Sequence, residues 1–346
     1  MKKTVIICVC AALALVSCKG GSSSSGSSSS GSGQSQAAAE QAAPKEAAPR
    51  PFPAVSVPSV YGSDTEQARN YVLEHYWDAF FKSEGATAAT TVLGVEDGEV
   101  EQALSNYIQI LSTMKLISTP DSLAPLQQAR RSVGHLFAQL EDKQKADTSA
   151  LTYLRFTEMV SKYLYDPNSP MRDEDLYLPF VERMARSPYT KDDMRKAYEY
   201  EARMCRTNPY GSVAPDFRYN KIDGKKGTLH TIKADYTMLF FSNPGCNSCK
   251  QIIQDVMARG YVESYISEGK LAILNIYIDE EVKAWRDYHH NYPACWINGY
   301  DYTFSLRDSG LYDIRAIPSL YLLDSQKRVL MKDAPTERVL QFLDNI

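Results

Sequence analysis

The sequence lacks a long basic block, which would indicate nucleic-acid binding, and the apolar run near its N-terminus is too short to indicate a membrane-spanning helix. Its 38 basic and 42 acidic side chains leave a formal net charge of −4, and no long block of Lys or Arg occurs. Nucleic-acid binding, which relies on basic patches, is therefore not expected. The apolar run from Val5 to Val16 is also too short to span a bilayer, which takes about 20 apolar residues in a helix.

The N-terminus has the pattern of an export signal. Lys2 and Lys3 precede the short apolar run, as in secretory signal peptides. The run ends in Leu15-Val16-Ser17-Cys18, which resembles the bacterial lipobox, in which the cysteine is lipidated and becomes the first residue of the mature chain. This resemblance implies a lipoprotein signal peptide over residues 1–17 and a membrane anchor through lipid on Cys18. An ordinary secretory signal with an incidental cysteine is the alternative.

A lipidated, exported chain is expected in the cell envelope. The expected membrane is the outer membrane, and Lys19-Gly20-Gly21 contains no acidic run after Cys18, which favours a protein that faces the periplasm over one displayed on the surface. Residues 18–61 have low complexity, first rich in Gly and Ser and then in Ala and Pro. Such a segment buries too little apolar surface to fold, so the sequence predicts a disordered tether there.

Residues 62–209 show helical periodicity and predict an all-α domain. Proline residues separate most of its apolar stripes, and proline commonly starts or stops a helix. The predicted helices are 64–81, 99–116, 122–142, 148–165, 173–186 and 190–206. No set of catalytic side chains is evident in this region, so its function stays unknown.

Residues 210–346 alternate strand and helix patterns and predict an α/β domain. The residues 238–241 form a continuous apolar run, as expected of a central strand covered on both faces. The predicted strands are 217–221, 227–232, 236–241, 271–278, 319–323 and 328–332, with a turn at Asp223-Gly224. The predicted helices are 249–259, 281–290 and 336–345.

The sequence Cys246-Asn247-Ser248-Cys249 follows the central strand and opens a predicted helix. At a helix start, unpaired N–H groups and the helix dipole favour a thiolate and lower the cysteine pKa from about 8.5 toward roughly 3.5–7.5. Cys246 is then the attacking thiolate and Cys249 the resolving thiol. A permanent structural disulfide and a zinc half-site are the alternatives, although the usual second Cys/His pair is missing.

Three stretches together resemble the TlpA/ResA branch of thioredoxin-like proteins. They are Ala214-Pro215-Asp216-Phe217, Cys246-Asn247-Ser248-Cys249-Lys250 and Ala316-Ile317-Pro318-Ser319-Leu320. The resemblance implies a central mixed sheet flanked by helices, with a redox-active disulfide between Cys246 and Cys249 and neither a cofactor nor a metal. It also implies a cis Pro318 facing the cysteines and an Ile317 backbone that binds a substrate chain.

The whole chain is similar to lipoproteins of the Bacteroides group that join a helical N-terminal domain of unknown function to this module. The matching stretches are Tyr292-Pro293, residues 296–301 and residues 311–315. Two departures from thioredoxin-like proteins concern the site. Gly245 stands where Trp commonly precedes the first cysteine, and apolar Phe240 and Ile252 stand where relatives place an acid. Asp255 is a weak substitute for proton handling.

The sequence thus predicts a thiol–disulfide oxidoreductase that acts on protein thiols and disulfides in the periplasm and receives electrons from an upstream thiol donor. Two alternatives remain open: a non-catalytic thioredoxin-like adaptor that binds envelope partners, and a peroxiredoxin-like peroxidase. The peroxidase is disfavoured because Asn243, rather than Thr, lies three residues before Cys246. The remaining cysteines, Cys205 and Cys295, either pair with each other or are each buried and inert.

Overall fold

Helices make up the first half of the described chain, and a sheet with its own helices makes up the second half. The computed structural model describes residues 48–346. The predicted signal peptide, Cys18 and most of the predicted tether lie outside the described residues. No helix in residues 48–346 combines the length and the apolar character that crossing a membrane requires.

The helical part confirms the helices that the apolar periodicity predicts, with ends that shift by a few residues, except that the single helix predicted over residues 64–81 is broken into two. Asp64 and Asp173 begin two of these helices by accepting N–H groups of the first turn with their carboxylates. The helices are α1 (Thr65–His75), α2 (Asp78–Phe81), α3 (Asp97–Leu116), α4 (Ala124–Ala146), α5 (Thr152–Leu164), α6 (Glu174–Arg186) and α7 (Asp192–Cys205).

The all-α prediction needs one correction, because a small hairpin lies before α3. Its strands are β1 (Thr91–Val92) and β2 (Val95–Glu96), paired antiparallel. Strands of two residues are too short to show an alternating pattern in the sequence. The end of the predicted tether also contacts this region, since the N–H of Arg50 donates to the Gly94 carbonyl at 2.8 Å. Phe52 stacks on Phe80 with ring centroids 5.3 Å apart.

A seven-stranded mixed sheet forms the second half, in the order β4-β3-β7-β6-β5-β8-β9. The central strands β5, β6 and β7 run parallel, and the outer pairs are antiparallel. The strands are β3 (Arg218–Lys221), β4 (Lys226–Thr228), β5 (Tyr236–Phe241), β6 (Leu271–Tyr277), β7 (Ile297–Tyr300), β8 (Ser319–Asp324) and β9 (Val329–Met331). The helices are α8 (Asn247–Met257), α9 (Val262–Ser267), α10 (Val282–Tyr288), α11 (Ser305–Asp308) and α12 (Thr336–Leu343).

Each face of this sheet buries its own apolar core. Along β5, Met238 and Phe240 point to the face that α8, α9 and α12 cover. Leu239 and Phe241 point to the opposite face. Because successive side chains of a strand point to opposite faces, an apolar run is buried on both sides. The fully buried residues 237–241 therefore confirm the prediction of a central strand.

One predicted strand is too long, and three short elements were not predicted. The strand predicted over residues 227–232 ends at Thr228, where the chain enters a short 3-10 turn. Thr228 and Thr231 hold this turn by exchanging side-chain and backbone hydrogen bonds. The helices α9 and α11 and the strand β7 were not predicted, since all three are short and lie inside irregular sequence.

Candidate functional site

The two cysteines of the Cys-x-x-Cys motif stand where the central strand β5 passes into helix α8. The connecting turn contains Gly245 with φ +75°, a left-handed conformation that glycine adopts without strain. Cys246 is the N-cap residue of α8, and its Sγ accepts a hydrogen bond from the Cys249 N–H at 3.1 Å. Both cysteines are free thiols in this structure.

The two thiols differ in exposure. Cys246 is half-buried, whereas Cys249 is 2% exposed. Burial, together with the adjacent Cys246 sulfur, raises the pKa of the Cys249 thiol to about 12, while the nearby Asn243 backbone acts in the opposite direction. Cys249 therefore keeps its proton at neutral pH, which leaves Cys246 as the accessible sulfur at the helix start.

The loop before β8 lies against the same apolar cluster as these cysteines. The peptide bond between Ile317 and Pro318 is cis, as predicted. Ile317 packs against the apolar cluster that also contains Cys246 and Cys249. Both Ile317 and Pro318 are only half-buried, so part of the loop surface remains open to solvent beside the motif.

The two positions at which the resemblance implies an acid are surrounded by apolar side chains. Phe240 is fully buried, and its ring lies edge-on to Trp296 with centroids 6.1 Å apart. Ile252 packs against the same cluster. The carboxylate of Asp255, the residue predicted as a weak substitute, accepts a hydrogen bond from Gln251 Nε2 at 2.8 Å on the exposed side of α8. This contact directs Asp255 to Gln251 rather than to the cysteines.

A row of polar side chains that was not predicted from the sequence begins at Ser242, just before the motif. Ser242 Oγ donates to Asn275 Oδ1 at 2.5 Å, and Asn275 Nδ2 donates to Asn298 Oδ1 at 3.0 Å. Asn275 is the cross-strand neighbour of Phe240. The polar group thus lies one strand away from the position at which an acid was expected. The single Asn inside the apolar run of β6 is the signal that could have indicated it.

Tyr292 lies beside this row. It is 6% exposed, and its hydroxyl is a buried polar atom without a hydrogen-bond partner. Burial raises the pKa of Tyr292 to about 12; Ser242 acts in the opposite direction, and the charge of an ionised Cys249 adds to the increase. An unpartnered buried hydroxyl is uncommon in folded proteins and often has a functional explanation.

The other two described cysteines do not pair. Cys205 is buried, and burial raises the pKa of its thiol, as expected of an inert cysteine. The expectation of burial is wrong for Cys295, which is exposed. Cys295 lies in the irregular segment before β7, where the next side chain, Trp296, turns into the core instead. Within residues 48–346, no group of three or more His, Cys, Asp and Glu side chains could hold a metal ion.

Comparisons with known proteins cover both halves of the chain. Residues 24–208 match the family described as domain of unknown function DUF5106. None of the curated proteins matches the sequence. Among solved structures, a thioredoxin-like protein from Bacteroides caccae is 32% identical with a TM-score of 0.68, over 85% of this chain and 98% of that one.

Two further solved structures align with a smaller share of the chain. The C-terminal domain of an uncharacterized protein from Bacteroides fragilis is 41% identical over 40% of this chain and 99% of that one, with a TM-score of 0.39. The thioredoxin domain of a thiol-disulfide oxidoreductase from Bacteroides vulgatus is 20% identical over 38% of this chain and 96% of that one, with a TM-score of 0.34.

The alignment with the Bacteroides caccae protein includes the helical part as well as the sheet, since it covers 85% of the chain. It establishes the predicted fold class, a thioredoxin-like mixed sheet flanked by helices and preceded by a helical region. The chain belongs to the DUF5106 family, whose model its first half matches, and carries a thioredoxin-like fold in its second half.

Proposed function

We propose that this protein is a thiol–disulfide oxidoreductase that reduces or exchanges protein disulfides in the cell envelope. The observation that carries the proposal is the position of Cys246 at the start of α8, where its sulfur accepts the Cys249 N–H. A sulfur in this position is stabilised as a thiolate by the N–H groups and the dipole of the helix.

The reaction begins at Cys246. Its thiolate attacks one sulfur of a substrate disulfide, a mixed disulfide forms, and the other substrate sulfur leaves as a thiolate that takes a proton from solvent. Cys249 then loses its proton to solvent and attacks Cys246 Sγ. The bond between Cys246 and the substrate breaks, and the second substrate sulfur leaves as a thiolate that takes up a proton. The substrate gains two electrons, and the protein is left with a disulfide between Cys246 and Cys249. A dithiol donor reduces this disulfide and restores the starting state.

The differing exposure of the two sulfurs supports this order of events. A substrate reaches the half-buried Cys246 before the 2% exposed Cys249. The raised pKa of Cys249 keeps it protonated until the mixed disulfide forms next to it. Ile317, which is half-buried and packs against the same apolar cluster as the cysteines, supports the proposal that its main chain binds the substrate chain.

An insulin-reduction assay tests the proposal. The wild type, supplied with a dithiol donor, should reduce insulin, and Cys246→Ser should lower the rate to that of the donor alone. Cys295→Ser is the matched control, because Cys295 is exposed and lies outside the motif; its rate should equal that of the wild type. Equal rates for wild type and Cys246→Ser would contradict the proposal and favour a non-catalytic adaptor.

Substrate and location are tested by trapping. In Cys249→Ser the mixed disulfide at Cys246 has no resolving thiol, so partner proteins should remain covalently attached and be identified by mass spectrometry.

The lipid anchor requires Cys18, and replacing it with alanine should abolish metabolic labelling with palmitate. Trapped partners confined to the cytoplasm, or labelling that persists in Cys18→Ala, would contradict the envelope setting.

A further inference from the structure

Charged side chains join the helical part to the loop that carries Ile317 and Pro318. Arg315, two residues before Ile317, donates from Nη1 to the carbonyl of Tyr165 at 2.9 Å. Its guanidinium carbon also lies 4.3 Å from the centre of the Tyr165 ring, and its Nη2 lies 3.3 Å from Glu174 Oε1. Tyr165 directly follows α5 and Glu174 begins α6, so these contacts all come from the helical part.

Asp333 holds the other end of the same loop. Its Oδ1 accepts a hydrogen bond at 2.9 Å from Ser319 Oγ, in the residue directly after Pro318. Its Oδ2 accepts from Arg315 Nη2 at 2.9 Å. The main-chain carbonyl of Asp333 accepts from Arg172 Nε of the helical part at 2.8 Å. One aspartate therefore connects both ends of the loop and is itself held by the helical part.

Lys332, the neighbour of Asp333 in sequence, adds a third connection. Its Nζ lies 2.5 Å from Glu174 Oε2. The same ammonium group donates to the carbonyls of Met204 and Thr207 at 2.8 and 2.6 Å. Met204 belongs to α7, and Thr207 follows that helix. Glu174 is thus paired with both Arg315 before the loop and Lys332 after it.

These charges are buried, which makes stability alone a poor explanation for them. The side chains of Glu174 and Lys332 are 3% and 1% exposed, and those of Arg315 and Asp333 are 17% and 8% exposed. A buried ion pair often contributes no more stability than well-packed apolar residues, because desolvation offsets the attraction. The directional, charge-assisted hydrogen bonds here run from Arg315 to the Tyr165 carbonyl and to Asp333, and from Lys332 to the carbonyls of Met204 and Thr207, and such bonds restrict geometry strongly. Glu174 adds ion pairs with both cations. The group that this cluster restricts is the loop beside Cys246.

We propose that the helical part is a brace for the substrate-binding loop, with Glu174 and Tyr165 as positioning residues that act through Arg315. The brace fixes the main chain of Ile317 beside Cys246, where it pairs with the extended main chain of a protein or peptide disulfide. This inference rests on the proposed function and deepens it. A small disulfide without a peptide main chain reaches Cys246 but makes no use of the loop.

The test compares insulin with hydroxyethyl disulfide as substrates of wild type and Glu174→Gln, which keeps the side-chain shape and removes the charge. Burial raises the pKa of Glu174 to about 7, against the effect of Lys332 and Arg315. Assays at about pH 8 keep such a carboxyl group mostly ionised in the wild type. We expect the KM for insulin to rise about fivefold or more, with kcat/KM for hydroxyethyl disulfide within about twofold of the wild type.

Asp175→Asn is the matched control. Asp175 is the next residue of the same helix and is 1% exposed, but its carboxylate pairs with Lys115 of α3 at 2.7 Å instead of with the loop. Its KM for insulin should stay within about twofold of the wild type. Should Glu174→Gln fail to fold by circular dichroism, Arg315→Lys serves as the second variant. It keeps a positive charge, loses the planar fork that contacts Tyr165, and should raise the same KM.

The results of this test distinguish a failure of the brace proposal from a failure of the proposed redox function. Equal losses with both substrates, an unchanged KM in a folded Glu174→Gln variant, or the same rise in Asp175→Asn each overturn the brace while the redox function stands. A wild type that reduces neither substrate overturns the redox function, and it also overturns the brace proposal, which rests on that function.

Discussion

The two sides of the candidate site are held in place by different forces. The cysteine side stands on the sheet, where Cys249 packs in an apolar cluster with Phe240 and Val256. The loop side is flanked by Arg315 and Asp333, which the helical part contacts through charged and polar groups. Apolar burial is non-directional, whereas charge-assisted hydrogen bonds depend on geometry.

Because of this difference, we expect the cysteine side to determine the reaction steps and the loop side to determine how the substrate is positioned. The environment that sets the pKa of Cys249 lies within the thioredoxin-like part, since burial beside Cys246 is its main cause. The contacts that restrict the loop come from the helical part, whose residues lie far before the sheet in the sequence. Under the proposed function, changes on the cysteine side should alter reaction steps and core stability. Changes on the loop side should alter recognition.

The largest stability effect is expected on the cysteine side, from Phe240→Ala. Removing this fully buried ring leaves a cavity between β5 and α8 and should lower the free energy of unfolding by about 3–5 kcal/mol. Urea unfolding followed by circular dichroism measures the loss. Phe342→Ala on α12 is the control, because Phe342 is only half-buried and should lose less than half as much. Similar losses for both would contradict the view that apolar burial holds the cysteine side.

A smaller loss is expected on the loop side, from Lys332→Met. This change removes the nearest cation of buried Glu174 and the donor to two carbonyls, and should lower the free energy of unfolding by about 2–3 kcal/mol. Adding Glu174→Leu removes the unpaired carboxylate and should recover part of that loss. Urea unfolding of the two single variants and the double variant measures the coupling. Strictly additive losses would show that the pair does not act as a unit.

The sequence predicted the parts of this molecule that local patterns encode. The apolar run of β5 and the helical stripes of residues 62–209 follow from periodicity, and the structure confirms both. Cys246 at a helix start and a cis Pro318 were predicted from the motif and from the resemblance. These features depend on residues that are close together in the chain or belong to a known motif.

The contacts between distant segments could not be predicted in the same way. Glu174 and Lys332 are separated by more than a hundred residues, and neither stands in a pattern that marks it as buried. The row of Ser242, Asn275 and Asn298 becomes visible only when the register of three strands is known. A charged or amide side chain in isolation is far more often solvent-exposed, so the sequence alone favours the opposite assignment.

The last prediction concerns the deprotonation of Cys249 on the cysteine side and is tested with Tyr292→Phe. Burial is the main cause of the raised Cys249 pKa and persists in the mixed disulfide, so the thiolate fraction of Cys249 should increase about tenfold for each pH unit between roughly pH 7 and 10. Breakdown of the mixed disulfide should accelerate accordingly, since the thiolate is the nucleophile. An ionised Cys249 raises the pKa of Tyr292, so the two groups lie near each other, and we expect the unpartnered Tyr292 hydroxyl to donate a hydrogen bond to that thiolate once it forms. Removing the hydroxyl should then slow the breakdown by up to about tenfold without changing its slope against pH.

Single-turnover kinetics of the mixed disulfide measure this effect. Tyr288→Phe is the control, since the Tyr288 ring lies 5.3 Å from that of Tyr292 but is less buried. Stability should change by less than about 0.5 kcal/mol in Tyr292→Phe, because its hydroxyl has no hydrogen bond to lose in the thiol form. A slower breakdown with unchanged stability would place Tyr292 in the reaction, on the cysteine side. Equal breakdown rates in Tyr292→Phe and Tyr288→Phe would show that the Tyr292 hydroxyl takes no part and that Cys249 loses its proton to solvent without it.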